Sequence, residues 1–320
     1  EASMVDLALM VSILEALPAH ARLILLGDRD QLASVEAGAV LGDICRAADS
    51  GPLADTLAPL THNWRFGAHS PIAALASAVR EARVTDALTL LDDPASVQVS
   101  LQAAQEDAAL DALLAEQVTP VYAEVARLVR EGADAKAVFE KLGSLMVLCA
   151  HRTGPRGVTD LNRRVSVQLG AGGALSPGLP AYPGQPLMVT RNDSALGLFN
   201  GDVGVVMPDA DSPGRLQAVF IDTAGDEHAV SLGRLPEHET AYAMTVHKAQ
   251  GSQARQVVLV LPTQLSPVLS RELIYTGITR AEQSLEIWAA HEVLASAIGR
   301  SAQRVTGLAD RLQGRSASGP

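Results

Sequence analysis

The chain has 320 residues, 48% of them hydrophobic, which is enough to bury a large core and to form two or three domains. Its 36 acidic and 25 basic residues give a formal charge of −11, which excludes nucleic-acid binding through a broadly basic surface and makes any phosphate contact local or partner-supplied. The isolated Cys45 and Cys149 predict buried thiols in a reducing cytoplasm rather than zinc ligands, and no apolar run reaches the roughly 18 residues of a membrane span.

Residues 1–60 alternate helical and strand patterns. A capping box at Ser3 and Asp6 predicts a helix that ends before Pro18. The apolar segment 22–26 predicts a buried strand that leads into Asp28. Glu1 and Asp28 would then both lie where a strand meets its following turn, which is where α/β sheets bind ligands.

Residues 70–142 have helical periodicity, and a strand is predicted at 145–150. A helix opened by Thr159 and Asp160 follows, and the Gly- and Pro-rich segment 169–186 predicts a linker. The densest basic cluster lies on the loop and helix after the strand, at Arg152, Arg156, Arg163 and Arg164. It could form a local phosphate track or a solvated helix face.

The next segment contains short apolar runs at 187–190, 203–207, 216–221 and 229–232, with a hairpin-type turn at Asn200-Gly201. Several short strands within about 50 residues predict a small barrel. Its surface could present Arg191, Asn192 and Phe199 to DNA, because an aromatic ring can stack on a base. Phe199 could equally belong to the barrel core.

Two short polar segments, T-V-H-K-A-Q-G-S (245–252) and Y-T-G-I-T-R-A (275–281), adjoin apolar runs at 256–261 and 284–289. Such runs predict interior strands of a parallel sheet, covered on both faces. The alternation of helices and strands favours an α/β fold. Arg280 beside such a strand suits an anionic ligand, and the tail 314–320 is expected to be disordered.

In this order along the chain, five segments resemble motifs of superfamily 1 DNA helicases. E-A-S (1–3) resembles the end of a Walker B box, G-D-R-D-Q-L (27–32) motif III, and N-W-R-F (63–66) motif IV. The two polar segments resemble motifs V and VI. R-N-D-S-A-L-G-L-F-N-G-D-V-G (191–204) and R-L-P-E-H-E-T (234–240) are similar to the alpha subunits of exodeoxyribonuclease V, a helicase–nuclease.

The resemblance implies RecA-like parallel sheets of the P-loop NTPase type, one partial and one complete. The partial one would be the end of the first helicase domain, residues 1–60, without its Walker A box. The second helicase domain would comprise 61–185 and 236–313. An SH3-like β-barrel would be inserted at 186–235.

The resemblance also implies a site for ATP and Mg²⁺. Glu1 would be the general base, and Gln31 would contact the γ-phosphate and the attacking water. Arg65 and Arg280 would reach the γ-phosphate, and Gln253, where relatives usually have Glu, could bond the ribose. The Asp that holds Mg²⁺ would precede Glu1. Each side chain has a plainer alternative, solvation for the first two and a structural salt bridge for the arginines.

Hydroxyl, imidazole, amide and basic side chains can donate to phosphate oxygens without reading sequence. The residues predicted to contact single-stranded DNA are Thr245, His247, Lys248, Arg152, Arg191 and Asn192. For His247 a packed core position is the alternative.

The implied function is an ATP-dependent 5′-to-3′ DNA helicase subunit that acts on double-strand break ends in recombinational repair. The resemblance implies that it would assemble as a heterotrimer with larger beta and gamma subunits, one of which carries the nuclease. No clustered D-x-K or E-x-K constellation occurs in this sequence. Without G-x-x-x-x-G-K-[ST], this stretch alone is not expected to hydrolyse ATP, and truncation is the expected reason. A non-catalytic structural or DNA-binding subunit and a standalone helicase of the same family remain alternatives.

Overall fold

The computed structural model describes residues 1–34, 39–48, 53–60, 67, 70–103, 106–173, 181–222, 224–302 and 307–313. Within these ranges the helices are α1 (Leu7–Ala16), α2 (Val40–Ala48), α3 (Pro71–Arg80), α4 (Val84–Leu91), α5 (Asp107–Leu113), α6 (Thr119–Arg130), α7 (Ala135–Leu142), α8 (Val158–Ala171), α9 (Arg271–Ile278), α10 (His291–Gly299) and α11 (Leu308–Leu312). The strands are β1 (Val99–Gln102), β2 (Leu145–Cys149), β3 (Pro186–Val189), β4 (Val203–Pro208), β5 (Leu216–Ile221), β6 (Glu227–Ser231), β7 (His238–Thr240), β8 (Met244–Thr245), β9 (Ala254–Val260) and β10 (Ala281–Trp288).

A five-stranded parallel sheet has the order β1-β10-β9-β2-β8. At its centre, Val257 of β9 pairs with Leu285 on one side and Met146 on the other. The strands predicted at 145–150, 256–261 and 284–289 are therefore confirmed, with ends shifted by up to three residues. The predicted α/β fold with a parallel sheet is confirmed as well.

Both faces of this sheet are covered. Along β9, Val257 and Leu259 join a core built with α3, α4, α9 and α10, whereas Val258 and Val260 join a second core built with α5, α6 and α8. Because successive side chains of a strand point to opposite faces, both faces can be apolar only if the whole run is apolar. That requirement is why the uninterrupted run in the sequence predicted an interior strand.

Residues 186–240, here called the antiparallel module, form a second five-stranded sheet of order β6-β5-β4-β3-β7. The four predicted strands are confirmed, and β7 is an additional edge strand. Leu187, Val206 and Phe220 pack within the module, while Val205 packs against Val125 of α6. The module is thus anchored on a helix of the parallel-sheet unit. Its assignment as an SH3-like barrel stays a prediction.

The buried strand predicted at 22–26 is not formed. No strand is present in this segment, and Ile24 is 79% exposed and Leu26 is 68% exposed. The carbonyl of Leu26 accepts one hydrogen bond, from the Ala2 N–H (2.7 Å). A strand needs a neighbouring strand to satisfy its backbone hydrogen-bonding groups. The described parts of residues 1–60 contain no strand with which the segment could pair. The partial sheet predicted there is therefore also absent from those residues.

The first helix begins later than predicted. Asp6 is the N-cap of α1, and its carboxylate accepts from the N–H of Leu9 (2.8 Å). Ser3 instead lies in a 3-10 turn, Ala2–Met4. The cap prediction at Ser3 was wrong because Asp6, the predicted partner of the capping box, is itself a strong cap residue.

Strand β1 was missed because it lies in a stretch of strong helical periodicity, yet it pairs in parallel with β10. α8 extends into the predicted linker as far as Ala171. Residues 174–180 and the predicted disordered tail lie outside the described residues. No described helix combines the length and the apolar character that crossing a lipid bilayer would require.

Candidate functional site

Arg280 lies just after α9 and is 3% exposed. Its Nε donates to the carbonyl of Thr276 (3.1 Å) and its Nη1 to the carbonyl of Ser252 (3.2 Å). Its Nη2 donates to Oε1 of Gln31 (3.1 Å) and to the hydroxyl of Thr279 (3.2 Å). Because the donors of a guanidinium have fixed directions, these bonds hold the group in one orientation and join it to the predicted motif III.

Asp28 is the centre of a second set of contacts. Its Oδ2 accepts from Nε2 of Gln31 (3.1 Å) and from the hydroxyl of Tyr275 (2.9 Å), while its Oδ1 accepts from the N–H of Asp30 (3.0 Å). Burial, followed by the charge of Asp28 and the bond to it, raises the pKa of Tyr275, so its hydroxyl remains a donor. Asp28 therefore caps its own turn and also binds Tyr275.

The peptide groups of Leu32 are held from two sides. Its N–H donates to the hydroxyl of the fully buried Thr276 (2.8 Å). Its carbonyl accepts from Nε2 of Gln250 (2.6 Å). Segment 28–32 is thus bonded to both predicted motifs, V and VI. Sequence reasoning did not assign contacts to Tyr275, Thr276 or Gln250, and their only signal was membership of those two motifs.

Glu1 lies beside motif V. A Cβ atom placed on Gly251, whose φ is +82°, would lie 3.8 Å from Oε2 of Glu1. A Cβ atom on Gly27 would lie 2.9 Å from the backbone nitrogen of Ser3. Because only glycine permits that close approach, the chain before Asp28 packs directly against the residues that follow Glu1.

Two further residues were predicted to bind the nucleotide, Gln253 and Arg65. Gln253 is exposed in the turn before β9. Arg65, with the rest of the predicted motif IV, lies outside the described residues, so its convergence with Arg280 stays a prediction. Of the predicted set, the structure brings Gln31 and Arg280 into contact and places Glu1 next to motif V.

A cleft of about 1580 Å³ runs between motif V, the loop after β2, the antiparallel module and the loop after β9. Thr245, His247, Lys248 and Arg152 all line it. Several further lining residues were not among the predicted site residues, including Asn200, Asp202, Glu239 and Arg300.

Arg191 and Asn192 lie outside the lining of this cleft. Arg191 is exposed, with Nη1 3.9 Å from Oε1 of Glu237. Oδ1 of Asn192 accepts from the N–H of Asn200 (2.8 Å). Of the two residues predicted to contact DNA from the module, Arg191 therefore forms a surface ion pair and Asn192 accepts a hydrogen bond within a turn.

Motif V is organised by its own side chains. The hydroxyl of Thr245 accepts from the N–H of Lys248 (3.3 Å), and Nζ of Lys248 donates to Oδ1 of Asn200 in the antiparallel module. Burial lowers the pKa of Lys248, while Glu239 acts to raise it and Arg152 to lower it further. The ammonium group is thus partly desolvated at the wall of the cleft.

The basic cluster after β2 is largely neutralised. Arg164 contacts Asp160 (3.0 Å) and Asp111 (2.8 Å), and Arg163 contacts Asp160 (2.9 Å). The bonds from the arginines and from the Arg156 N–H lower the pKa of Asp160, against the effect of its burial. This part of the cluster is therefore an ion-pair network, in which the Arg164 side chain is 11% exposed and the Arg163 side chain remains 63% exposed on the helix.

The other two arginines of the cluster differ. Arg152 lines the cleft, and its Nη2 lies 3.0 Å from Oε2 of Glu239. Arg156 is 3% exposed, has a φ of +61°, and its Nη1 and Nη2 have no hydrogen-bond partner in the part of the chain that the structure describes. All four arginines of the cluster are described residues, and of these four only Arg152 lines the cleft.

Two family models match the chain, an AAA domain at residues 1–102 and a UvrD-like helicase C-terminal domain at residues 240–287. The first contains Glu1 and Gln31, and the second contains motif V and Arg280. The two models meet at the hydrogen bond between Gln31 and Arg280. Residues 1–102 are thus similar to AAA domains, and residues 240–287 to UvrD-like helicase C-terminal domains.

Curated relatives make the class more specific. The chain is 40% identical over 98% of its length to the RecBCD enzyme subunit RecD of Mycolicibacterium smegmatis, and 32% identical over 98% to that of Haemophilus influenzae. The ATP-dependent RecD2 DNA helicase of Deinococcus radiodurans is 31% identical over 88% of this chain and 34% of its own. The chain is a homologue of the RecD subunit, and it spans about half the length of the RecD relatives it matches, 53% in both cases.

Among solved structures, the Pif1 helicase from Bacteroides in complex with ADP-AlF3 and ssDNA matches 88% of this chain and 62% of that chain. The sequence identity is 15% and the TM-score is 0.42, which is too low a similarity to assign function.

Proposed function

We propose that this chain provides the second motor domain, and the adjoining part of the first, of an ATP-driven 5′-to-3′ DNA helicase subunit. The observation that supports this best is the contact of Arg280 with Gln31 (3.1 Å), because it links the two helicase segments through groups suited to a phosphate. The subunit would act on double-strand break ends in a complex with beta and gamma subunits, one of which would carry the nuclease.

In this proposal ATP binds where Gln31 and Arg280 meet, and Arg65 and Gln253 complete its site. A buried guanidinium fits the γ-phosphate because it stabilises the charge of phosphoryl transfer, an effect worth roughly 10³–10⁵ in rate in related hydrolases. Glu1 would orient the attacking water. The described residues hold no group of three or more His, Cys, Asp or Glu that could bind a metal.

Single-stranded DNA would occupy the cleft. Thr245, His247 and Lys248 would contact its phosphates, with Arg152 on the opposite wall; Arg191 and Asn192 would act only if the module moved. Leu32, bonded to both Gln250 and Thr276, would transmit the nucleotide-dependent movement of segment 28–32 to motif V. Such local contacts are consistent with the formal charge of −11, because they need no broadly basic surface.

The test is Arg280→Ala in the full-length protein assembled with its partners. We expect DNA-stimulated ATP turnover to fall by at least about a hundredfold, with single-strand binding changed by less than about threefold. Arg255→Ala is the matched control, because Arg255 is an exposed arginine of β9 that pairs with Glu140 (2.9 Å). Near-normal turnover of Arg280→Ala would overturn the proposal in favour of a non-catalytic subunit.

A further inference from the structure

One turn of the antiparallel module, residues 198–202, places Asn200, Gly201 and Asp202 in the lining of the cleft, which also includes Thr190 and Glu239 of the module. The N–H of Asn200 donates to Oδ1 of Asn192 (2.8 Å), and the N–H of Phe199 donates to Oδ2 of Asp202 (2.7 Å). Gly201 has a φ of +105° and donates to the carbonyl of Val189 (2.9 Å). The backbone of Asn200 is therefore fixed from both sides, and its side chain projects from a rigid support.

The side chain of Asn200 meets Lys248, 48 positions further along the chain. Nζ of Lys248 donates to Oδ1 of Asn200, and both residues line the cleft. A lysine has a flexible four-carbon stem, and fixing it costs conformational entropy. The amide oxygen of Asn200, held on a rigid turn, already restricts the lysine side chain before a strand binds, so that binding does not have to overcome this entropy loss. The bond uses only one of the three N–H donors of the ammonium.

We propose that Asn200 is a positioning residue for single-strand binding, which holds the Lys248 ammonium so that its remaining N–H groups face the phosphate backbone in the cleft. This inference rests on the proposed function. It also gives the antiparallel module a specific role, because the bond between Lys248 and Asn200 joins motif V to the module at the lining of the cleft.

The neutral amide suits this role. A carboxylate at position 200 would form an ion pair with Lys248 and compete with the phosphate for the ammonium. Asp202, the nearby acid of the turn, has Oδ2 engaged by the N–H of Phe199. Asn200 therefore orients the ammonium without cancelling its charge.

The experiment measures the affinity of the full-length protein for an oligothymidine strand across a series of salt concentrations. Each phosphate contact by a cation contributes about 0.7 to the slope of log K against log salt for single strands. Asn200 carries no charge, so Asn200→Ala should change the slope only through Lys248. We expect Asn200→Ala and Lys248→Met each to weaken binding by about three- to tenfold at low salt and to lower the slope by about 0.7.

Two further variants sharpen the test. Asn200→Asp should lower the slope similarly by pairing with the ammonium, and it keeps the size and the turn preference of Asn200 if Asn200→Ala fails to fold. Ser212→Ala, in the distant β4–β5 turn, should change nothing. The double variant of Asn200→Ala and Lys248→Met should bind no more weakly than Lys248→Met.

The outcomes separate this inference from the proposed function. If Lys248→Met weakens binding but Asn200→Ala does not, or if Asn200→Ala weakens binding with an unchanged slope, the positioning role is wrong and the proposed DNA site stands. If Lys248→Met itself leaves affinity and slope unchanged, the strand contact in the proposed function fails, and the role of Asn200 fails with it.

Discussion

Nη2 of Arg280 donates to Oε1 of Gln31 across 3.1 Å, joining residues 249 positions apart in sequence. Gln31 is held in turn by Asp28, which accepts from its Nε2 (3.1 Å). The amide therefore binds the arginine through its oxygen and the carboxylate through its nitrogen. A γ-phosphate that reached Arg280 would compete with the amide oxygen of Gln31, which would then be free to contact the attacking water.

Gln31 variants test this exchange. Gln31→Ala removes the neutral acceptor, and we expect DNA-stimulated ATP turnover to fall about tenfold or more because the water is no longer oriented. Gln31→Glu should bind Arg280 through a charge-assisted bond and compete with the γ-phosphate, so the KM for ATP should rise more in this variant than in Gln31→Ala. Steady-state ATPase measurements decide it, and an equal or lower KM in Gln31→Glu would contradict the exchange.

Thr276→Val tests the anchoring of segment 28–32. Valine keeps the shape of the buried threonine but leaves the N–H of Leu32 without its acceptor, which costs about 1–3 kcal/mol. Amide hydrogen exchange at Leu32 should accelerate roughly tenfold or more. Thr89→Val is the control, because the exposed Thr89 bonds only within its own helix, to the carbonyl of Thr85 (2.8 Å). Unchanged exchange at Leu32 would mean that the hydroxyl of Thr276 does not hold the segment, which is also bonded to Gln250, Tyr275 and Arg280.

Much of the parallel sheet was predictable because its signal is local. An uninterrupted apolar run such as 257–260 fits a strand covered on both faces, and the structure places its side chains in both cores. The same apolar pattern predicted a strand at 22–26 that the structure does not form. An apolar run records a tendency to form a strand, but the strand itself also requires a neighbour with which to pair.

The site was predictable in its residue types but not in its contacts. Arg280 and Gln31 were found from short motifs, whereas the bond of Tyr275 to Asp28 spans 247 positions. Whether a side chain binds a ligand or another side chain depends on which distant segment packs beside it. Asn192 illustrates this, since the sequence suggested a DNA contact and the structure shows a bond to the N–H of Asn200.

Gly204→Ala tests the packing of the antiparallel module. In β4, Gly204 is paired with Phe220 of β5, and an added Cβ would lie 2.6 Å from its ring. Overpacking of this kind typically costs about 1–3 kcal/mol, so the module should become less stable in urea. Gly233→Ala is the matched control, because a Cβ there meets nothing within 4 Å. Equal stability of the two variants would show that Phe220 yields without cost.

The thiol of Cys149 provides a test by pH. Burial raises its pKa from 9.0 to about 12, although a backbone hydrogen bond with His151 acts in the opposite direction. Below about pH 9 the thiol is protonated in both the folded and the unfolded chain, so it contributes no pH dependence. Between about pH 9 and 12 the unfolded chain loses this proton while the folded chain keeps it, and stability should fall by about 1.4 kcal/mol per pH unit from this group.

Cys149→Ala isolates that contribution. Burial also raises the pKa of Tyr122 and Tyr182, so both proteins should lose stability at high pH, and the difference between them carries the information. The free energy of unfolding, measured in urea from pH 8 to 11, should decline less steeply in Cys149→Ala, by about 1.4 kcal/mol per pH unit above about pH 9. The offset at pH 8 measures the cavity left by the sulfur. If the free energies of unfolding of the two proteins declined in parallel above pH 9, the Cys149 thiol would be reached by water in the folded chain. That thiol lies at the carboxyl end of β2, beside the cleft in which we place the DNA strand.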